Sequence, residues 1–145
     1  MASQYGITTM NTPMTYEVNF TSGAASTVFT VPLPTAGDRC SGLIFFDIYC
    51  SDGTDYQNIS WIGSYSAVNK AGTVTGDATY SSTGQSKNTT GGTLTTTFTD
   101  TTGTPSTDAV FQITPTSSLT LTSARIRFTF IQQSGNIPVS MGTLV

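Results

Sequence analysis

The run CSGLIFFDIYC, residues 40–50, is the densest apolar stretch of this sequence, and both cysteines of the protein bracket it. An apolar, aromatic and β-branched run of this length, followed by the turn-forming segment SDGTD, predicts a buried strand. In extended chain the Cα atoms of Cys40 and Cys50 lie roughly 30 Å apart, whereas a disulfide requires about 4.4 to 6.8 Å. The sequence therefore predicts two free thiols, as in a protein assembled in a reducing compartment.

Both faces of this predicted strand are apolar, with Asp47 as the one interruption. One face carries Ile44, Phe46 and Ile48, and the other carries Leu43, Phe45 and Tyr49. An antiparallel strand with one solvated face alternates apolar and polar residues instead. We therefore expect the second face to be covered, either by a loop of the same chain or by a neighbouring protomer, and both alternatives are open.

The composition favours an all-β protein. About a third of the 145 residues are Ser or Thr, Glu17 is the single glutamate, and charged residues make up 9 % of the chain. Thr fits strands and loses rotamer freedom in a helix interior, and charged residues supply about 25 % of typical soluble domains. The chain is also long enough to bury a core without disulfides.

Short apolar segments separated by turn signals predict about eight strands, with no helical period between them. The predicted strands are 15–20, 26–31, 40–50, 57–67, 73–80, 93–99, 109–114 and 119–133, and the segment 81–92 is predicted to be a loop. This pattern indicates a single-domain antiparallel β-sandwich of jelly-roll-like type. We expect an N-terminal arm at 1–14, the sandwich domain at 15–136 and a C-terminal tail at 137–145.

Charge and hydropathy patterns argue against several classes of partner. The net charge is −3, and the five basic residues are scattered along the chain, so no basic stripe is available for a nucleic acid. No run approaches the roughly 20 apolar residues of a membrane helix, and the N-terminal segment lacks the pattern of a secretory signal. We expect a soluble protein that contacts neither nucleic acid nor membrane.

Catalytic and metal-binding patterns are weak in this sequence. It contains no histidine, which removes the most common general base and metal ligand. Two cysteines do not supply the four ligands of a structural zinc site, and Asp52 and Asp55 after the apolar run are ordinary turn residues. We therefore expect no enzyme activity, no metal and no cofactor.

Exposed aromatic and charged side chains are the remaining candidates for binding. Tyr56, Trp61 and Tyr65 could stack on a sugar or anchor a protein interface, although Trp61 and Tyr65 fit the core of the fourth predicted strand better. Arg125 and Arg127 share one face of the last strand. They are expected either to pair with carboxylates such as Asp47 or Glu17, or to form a solvated edge that discourages strand pairing.

Three segments carry a family resemblance: SAVNKAGTVTG at 66–76, GGTLTTTFTDTTGT at 91–104 and SSLTLTSARIRFTFIQQSGN at 117–136. In texture they resemble β-sandwich domains at the tips of bacteriophage tail fibres and tailspikes, and small head-decoration and head-fibre proteins. The resemblance implies a virion structural component, commonly a homotrimer, that contacts other virion proteins. The chain lacks the long anchoring region of fibres, which favours a decoration or adaptor subunit.

Two functions from different classes follow. The first is a non-enzymatic phage structural protein, assembled in the host cytoplasm, with Leu43, Phe45, Tyr49, Arg125 and Arg127 at an interface between protomers. The alternative is a carbohydrate- or receptor-binding module that uses the aromatic residues Tyr56, Trp61 and Tyr65 on a host surface glycan.

Overall fold

The computed structural model describes residues 13–80, 86–102 and 106–136, and in these residues the chain forms nine strands and no helix. The strands are β1 (Met14–Asn19), β2 (Ser26–Pro32), β3 (Arg39–Ser51), β4 (Tyr56–Lys70), β5 (Thr73–Tyr80), β6 (Ser86–Thr89), β7 (Leu94–Thr102), β8 (Asp108–Ser117) and β9 (Ser123–Gly135). Residues 1–12 of the predicted arm and the predicted tail 137–145 lie outside the described residues.

The strands form two antiparallel sheets. The large sheet has the order β1-β9-β3-β4-β5, and β6 pairs with β4 beyond the end of β5. The small sheet has the order β2-β8-β7. The predicted all-β, antiparallel sandwich is confirmed, while its jelly-roll character stays a prediction.

The run 40–50 is the centre of the large sheet. β3 pairs with β4 along one edge and with β9 along the other, from Arg39 and Cys40 to Ser51. Its inward side chains Ile44, Phe46 and Ile48 are almost completely buried. Cys40 and Cys50 point inward at the two ends of the strand and are free thiols, as predicted.

The core between the sheets is built from aromatic rings. Phe29 of β2 stacks on Phe111 of β8 with a centroid distance of 4.7 Å. Phe46 of β3 packs on Trp61 of β4 at 4.2 Å, and Tyr65 contacts Phe29 edge-on at 4.7 Å. Trp61 and Tyr65 therefore belong to the core, which was the preferred interpretation of the sequence.

Three strand predictions need correction, and one of them is the strand predicted at 119–133, which begins only at Ser123. The predicted loop 81–92 contains β6, which pairs with residues 57–60 of β4. The strand predicted at 109–114 continues through Pro115 to Ser117. Proline is tolerated there because β2 ends its pairing with β8 at Ile113, so no strand requires a donated hydrogen bond from residue 115 on that side.

Candidate functional site

The outer face of the large sheet carries most of the predicted site residues. Strands β1, β9, β3 and β4 lie side by side, and directly paired residues form rows across them. Since alternate residues of a strand point to the same face, the register fixes which side chains are neighbours. Two groups of side chains on this face matter most, an apolar group that spans two rows and a polar group that forms one row.

The centre of this face is apolar. Leu43 lies opposite Ile131, and Phe45 lies opposite Ile62. We call these four residues the apolar zone. Phe45 is 37 % exposed and Ile62 is 47 % exposed, and Leu43 and Ile131 are half-buried. A loop covering the second face of β3, one of the two alternatives predicted, does not occur in the described part of the chain.

A row of polar side chains lies two rows from Phe45, at Tyr49. It runs across five strands in the order Asn19, Arg125, Tyr49, Asn58 and Asn88, and we call it the polar row. Beside it, the ring of Tyr56 lies 6.3 Å from that of Tyr49, with an angle of 33° between the planes. Tyr49 is 37 % exposed and Tyr56 is 50 % exposed.

Four charged side chains lie between Phe45 and the polar row or within that row. Arg125 Nη1 donates to Glu17 Oε1 at 3.0 Å in an exposed ion pair, which is one of the two alternatives that the sequence left open for the arginines. Asp47 Oδ1 accepts hydrogen bonds from Asn58 Nδ2 at 2.7 Å and from Ser60 Oγ at 2.9 Å. Arg127 lies in register between Glu17 and Asp47. The four charges beside the apolar zone therefore sum to zero.

A cleft of about 550 Å³ opens at the β1 end of the polar row. Asn19 and Arg125 belong to both the polar row and the cleft, whose apolar wall includes Phe20, Leu119 and Leu121. The other lining residues are Thr21, Ser22, Thr122, Ser123 and Ala124. The cleft is thus a mixed polar and apolar continuation of the outer face.

The outer face of the small sheet has a different character. β7 presents four exposed threonines, and β8 adds two threonine side chains beside them. These residues are Thr95, Thr97, Thr99, Thr101, Thr114 and Thr116. Threonine hydroxyl groups can hydrogen-bond to water, whereas the apolar zone of the large sheet cannot. The two outer surfaces of the sandwich are therefore not equivalent.

Five of the predicted site residues lie together on the outer face of the large sheet, and two others are buried in the core and are not available to a ligand. Leu43 and Phe45 lie in the apolar zone, Tyr49 and Arg125 in the polar row, and Arg127 between them. Tyr56 is exposed beside the polar row. Trp61 and Tyr65 are each 2 % exposed, so as ligand-stacking residues they are misplaced, because their side chains point into the sandwich.

Sequence reasoning missed Ile62 and Ile131 as partners of the apolar zone. From Asn58 to Ser66 the outer face of β4 otherwise carries serine and asparagine, and Ile62 breaks that pattern. This break was the available signal. Asn19, Asn58 and Asn88 were missed as a row because the register of five strands cannot be read from one sequence.

In ranges 13–80, 86–102 and 106–136, no three Cys, Asp or Glu side chains come together as a metal site. Asp52 Oδ1 accepts from the backbone N–H groups of Thr54 and Asp55, which lowers the pKa of that carboxyl and commits it to the turn. The described segments also contain no helix that could cross a membrane.

No protein-family model matches this sequence, and no curated protein sequence matches it significantly. Two solved structures are similar to it. The tailspike protein of Acinetobacter baumannii phage AM24 aligns at 10 % identity with a TM-score of 0.44, over 91 % of this chain and 26 % of its own. The tailspike protein of Acinetobacter phage vB_ApiP_P1 aligns at 13 % identity with a TM-score of 0.39, over 87 % of this chain and 22 % of its own. This chain thus spans about a quarter of the length of either tailspike, and likenesses this weak carry no argument about function.

Proposed function

We propose that this protein is a non-enzymatic structural subunit of a bacteriophage virion, either a capsid decoration protein or a fibre-like adaptor. In this proposal it associates with copies of itself through the outer face of the large sheet and docks on other virion proteins. The observation that carries the proposal is the exposed apolar zone at the centre of a fully paired sheet, with Phe45 and Ile62 37 % and 47 % exposed.

The size of the face supports a stable association. The six strands of the large sheet present roughly 30 outward positions, and each covers about 30 Å² at strand spacings of about 4.8 Å. The whole face therefore offers roughly 900 Å² per protomer, and two-thirds of it would still reach the roughly 600 Å² that each partner buries at the lower end of stable interfaces. Covering roughly 200 Å² of apolar surface contributes several kcal/mol at about 25 cal/mol per Å².

A second copy of the chain is the partner that the charges favour. Glu17 and Asp47 balance Arg125 and Arg127 beside the apolar zone, so two such faces meet without accumulating charge of one sign. A like-charged face would instead repel its own copy.

A trimer, which the family resemblance implies, is compatible with the dimensions of this sheet. Three faces about 19 Å wide around a threefold axis place each sheet about 5 to 6 Å from the axis. This is close to half of the roughly 10 Å between packed sheets, so side chains such as Phe45 and Ile62 can fill the centre. We therefore favour the homotrimer.

Assembly in the host cytoplasm is the compartment that we propose. Cys40 and Cys50 are free and buried, which suits a reducing environment. The fold does not depend on the oxidation of either thiol.

The test compares the mass in solution of the wild type with that of two matched variants. Phe45→Asp puts a charge into the apolar zone, and Thr97→Asp puts the same charge on the exposed face of the small sheet. We expect an oligomeric mass for the wild type and for Thr97→Asp at micromolar concentration, and a monomeric mass for Phe45→Asp, by sedimentation velocity. A monomeric wild type would refute the self-association.

The virion assignment has its own test. Antibodies against the protein should label purified particles at regular positions in electron micrographs. Particles that carry the protein at no regular position would contradict this part of the proposal and leave the self-association unaffected.

A further inference from the structure

The two ends of the sandwich differ, and β9 runs from one end to the other. Ser123, the first residue of β9, lines the cleft of about 550 Å³, and Gly135, the last residue, pairs with Cys40 at the other end of the large sheet. At about 3.3 Å per residue, β9 spans about 40 Å. We propose that the segment 137–145 of one copy, which follows Asn136 at the far end, binds in the cleft of another copy placed end to end with it.

The cleft lies at the end of the sandwich and outside the apolar zone. Most of its lining comes from residues 20–22 after β1 and from the loop 118–122 before β9. An occupant of the cleft therefore leaves the apolar zone uncovered. The end-to-end contact adds a second kind of contact between copies to the self-association proposed above, and it does not require that self-association.

The cleft offers apolar surface with polar groups around it. Leu119 and Leu121 are half-buried and form its apolar wall together with Phe20, so an apolar occupant removes further leucine surface from water. Asn19 and Ser123 are exposed at the cleft and can donate to and accept from the backbone of a peptide. The volume of the cleft lies within the roughly 300 to 1,000 Å³ of binding sites for small ligands.

The segment IPVSMGTLV, residues 137–145, has the sequence pattern of an extended occupant. Apolar residues take alternate positions at its start, at Ile137, Val139 and Met141. In an extended chain, alternate side chains point to the same side, so these three would meet the leucine wall together. Extended peptides are commonly recognised through backbone hydrogen bonds and pockets for alternate side chains.

Charge also favours this occupant. Arg125 is the charged residue of the cleft lining, and it is paired with Glu17 at 3.0 Å. The segment 137–145 contains no charged side chain, so it can cover the cleft without burying an unpaired charge. An acidic peptide would instead compete with Glu17 for the guanidinium group, and a basic peptide would be repelled by it.

Hydrogen bonds fix the point from which the segment starts. The backbone N–H of Asn136 donates to the Arg39 carbonyl at 3.0 Å, and its Oδ1 accepts from the Arg39 N–H at 2.8 Å. Its Nδ2 donates to Asp38 Oδ1 at 3.1 Å. Nine extended residues span about 30 Å, which is less than the roughly 40 Å back to the cleft of the same copy. The segment 137–145 can therefore reach a cleft only in another copy.

In the homotrimer that we favour, the threefold axis runs along the strands of the large sheet. The three clefts then lie at one end of the trimer, and the three segments 137–145 start at the other end. The partner of each segment belongs to the next trimer along the axis, so end-to-end contacts join trimers into a fibre, with three contacts acting together at each junction. This consequence rests on the proposed homotrimer, whereas the contact itself does not.

The test uses Phe45→Asp as the background, which isolates the end-to-end contact from the self-association of the outer face. We expect Phe45→Asp to be monomeric at micromolar concentration and to form a series of larger species when its concentration is raised to about 500 µM, where contacts with a Kd of about that value are populated. Sedimentation velocity measures the series. Adding Leu121→Asp in the cleft, or Val139→Asp in the segment, should abolish it, because each puts a charge into the apolar contact.

Mixing the two double variants gives the sharpest result. Phe45→Asp with Leu121→Asp keeps an intact segment, and Phe45→Asp with Val139→Asp keeps an intact cleft. Each should stay monomeric alone. An equal mixture should form a dimer and nothing larger, since one intact segment then meets one intact cleft and no further contact is available.

Matched controls carry the same charge at neighbouring positions. Ser140→Asp follows Val139 directly, and in an extended segment its side chain points away from the cleft wall, so the series should persist. Thr97→Asp puts the charge on the exposed face of the small sheet and should also leave the series unchanged. Leu119→Asp charges the same wall as Leu121→Asp at a second position and should likewise abolish the series.

Three results would overturn the inference: no larger species of Phe45→Asp at any concentration, a series that survives Val139→Asp, or equal losses for Val139→Asp and Ser140→Asp. All three are independent of whether a cleft variant folds, since Val139 and Ser140 follow β9 in the sequence. A monomeric wild type at micromolar concentration refutes the self-association of the outer face and leaves the end-to-end contact measurable. The two failures are therefore distinguishable.

Discussion

At the scale of single residues, the thiol of Cys40 links burial to pH dependence. Burial raises the pKa of Cys40 from its usual 9.0 to about 12. Between these values the unfolded chain releases the thiol proton while the folded chain retains it. Stability that is complete below about pH 9 is therefore lost as the pH rises toward 12, by at most about 1.4 kcal/mol per pH unit for this group.

The prediction is that Cys40→Ala loses less stability than the wild type between about pH 8 and about pH 10.5, by roughly 1 to 2 kcal/mol. Urea unfolding at the two pH values measures this difference, and the cost of the smaller side chain cancels because it is present at both. Burial also raises the pKa values of Cys50 and Tyr65, so the variant keeps part of the slope. Equal slopes for the two proteins would show that Cys40 ionises as readily in the fold as outside it.

At the scale of structural elements, the β4–β5 hairpin contains a residue in an unfavourable conformation. Lys70 pairs with Thr73, so the turn consists of Ala71 and Gly72, with φ values of 53° and 90°. Two-residue turns with both φ values positive favour Asn-Gly, since alanine is strained in the left-handed region. We predict that Ala71→Asn raises the free energy of unfolding by about 0.5 to 1 kcal/mol and the Tm by a few degrees.

The matched control changes the other residue of the same turn. A Cβ atom at Gly72 meets nothing within 4 Å, so Gly72→Ala tests the backbone conformation alone. We expect Gly72→Ala to lower the Tm, and calorimetry of both variants measures the pair of shifts. A lower Tm for Ala71→Asn would mean that the turn does not require a residue suited to positive φ.

Sequence reasoning succeeded for β5, whose side chains alternate, and for β3, which is a nearly continuous apolar run. β5 was predicted at 73–80 and occupies Thr73–Tyr80, and β3 was predicted from its apolar run. β6 was missed because SKNT has no apolar residue and is a strand through its backbone pairing with β4. Two of the four residues of the apolar zone, Leu43 and Phe45, were predicted from the sequence of β3. Their neighbours Ile62 and Ile131 were not, because only the register of the paired strands places them beside β3.

Elements far apart in the sequence are joined by a buried glutamine that the pattern did not single out. Gln57 of β4 is completely buried, and its Oε1 accepts from Ser117 Oγ of β8 at 2.6 Å and from Cys50 Sγ of β3 at 3.4 Å. Its Nε2 donates to the carbonyl of Gly91 at 2.8 Å. A buried amide with this many partners ties the two sheets and a loop together, and only the three-dimensional structure reveals those partners.

At the scale of the whole molecule, the two outer faces of the sandwich have different physical properties. The small sheet presents threonines, and the large sheet presents the apolar zone with balanced charges along one side of it. An association driven by apolar burial weakens on cooling. Salt acts by screening exposed charges, with a Debye length of about 10 Å at 0.1 M. Two faces whose charges are balanced have little net repulsion or attraction to screen, so their association responds little to salt. The proposed self-association should therefore have a thermal signature and almost no salt signature.

We predict that the association constant of the wild type falls on cooling from about 25 °C to about 5 °C and changes less than about threefold when NaCl is raised from about 50 mM to about 500 mM. Arg127→Glu is the informative variant, because it leaves three carboxylates beside one guanidinium at the edge of the apolar zone. Two copies of this variant repel each other, so its association should be weaker at low salt and should recover as NaCl screens the repulsion. Sedimentation velocity at both temperatures and both salt concentrations measures all of these changes. A wild type that dissociates on addition of NaCl would mean that charge pairs between protomers, and not the apolar zone, hold the copies together.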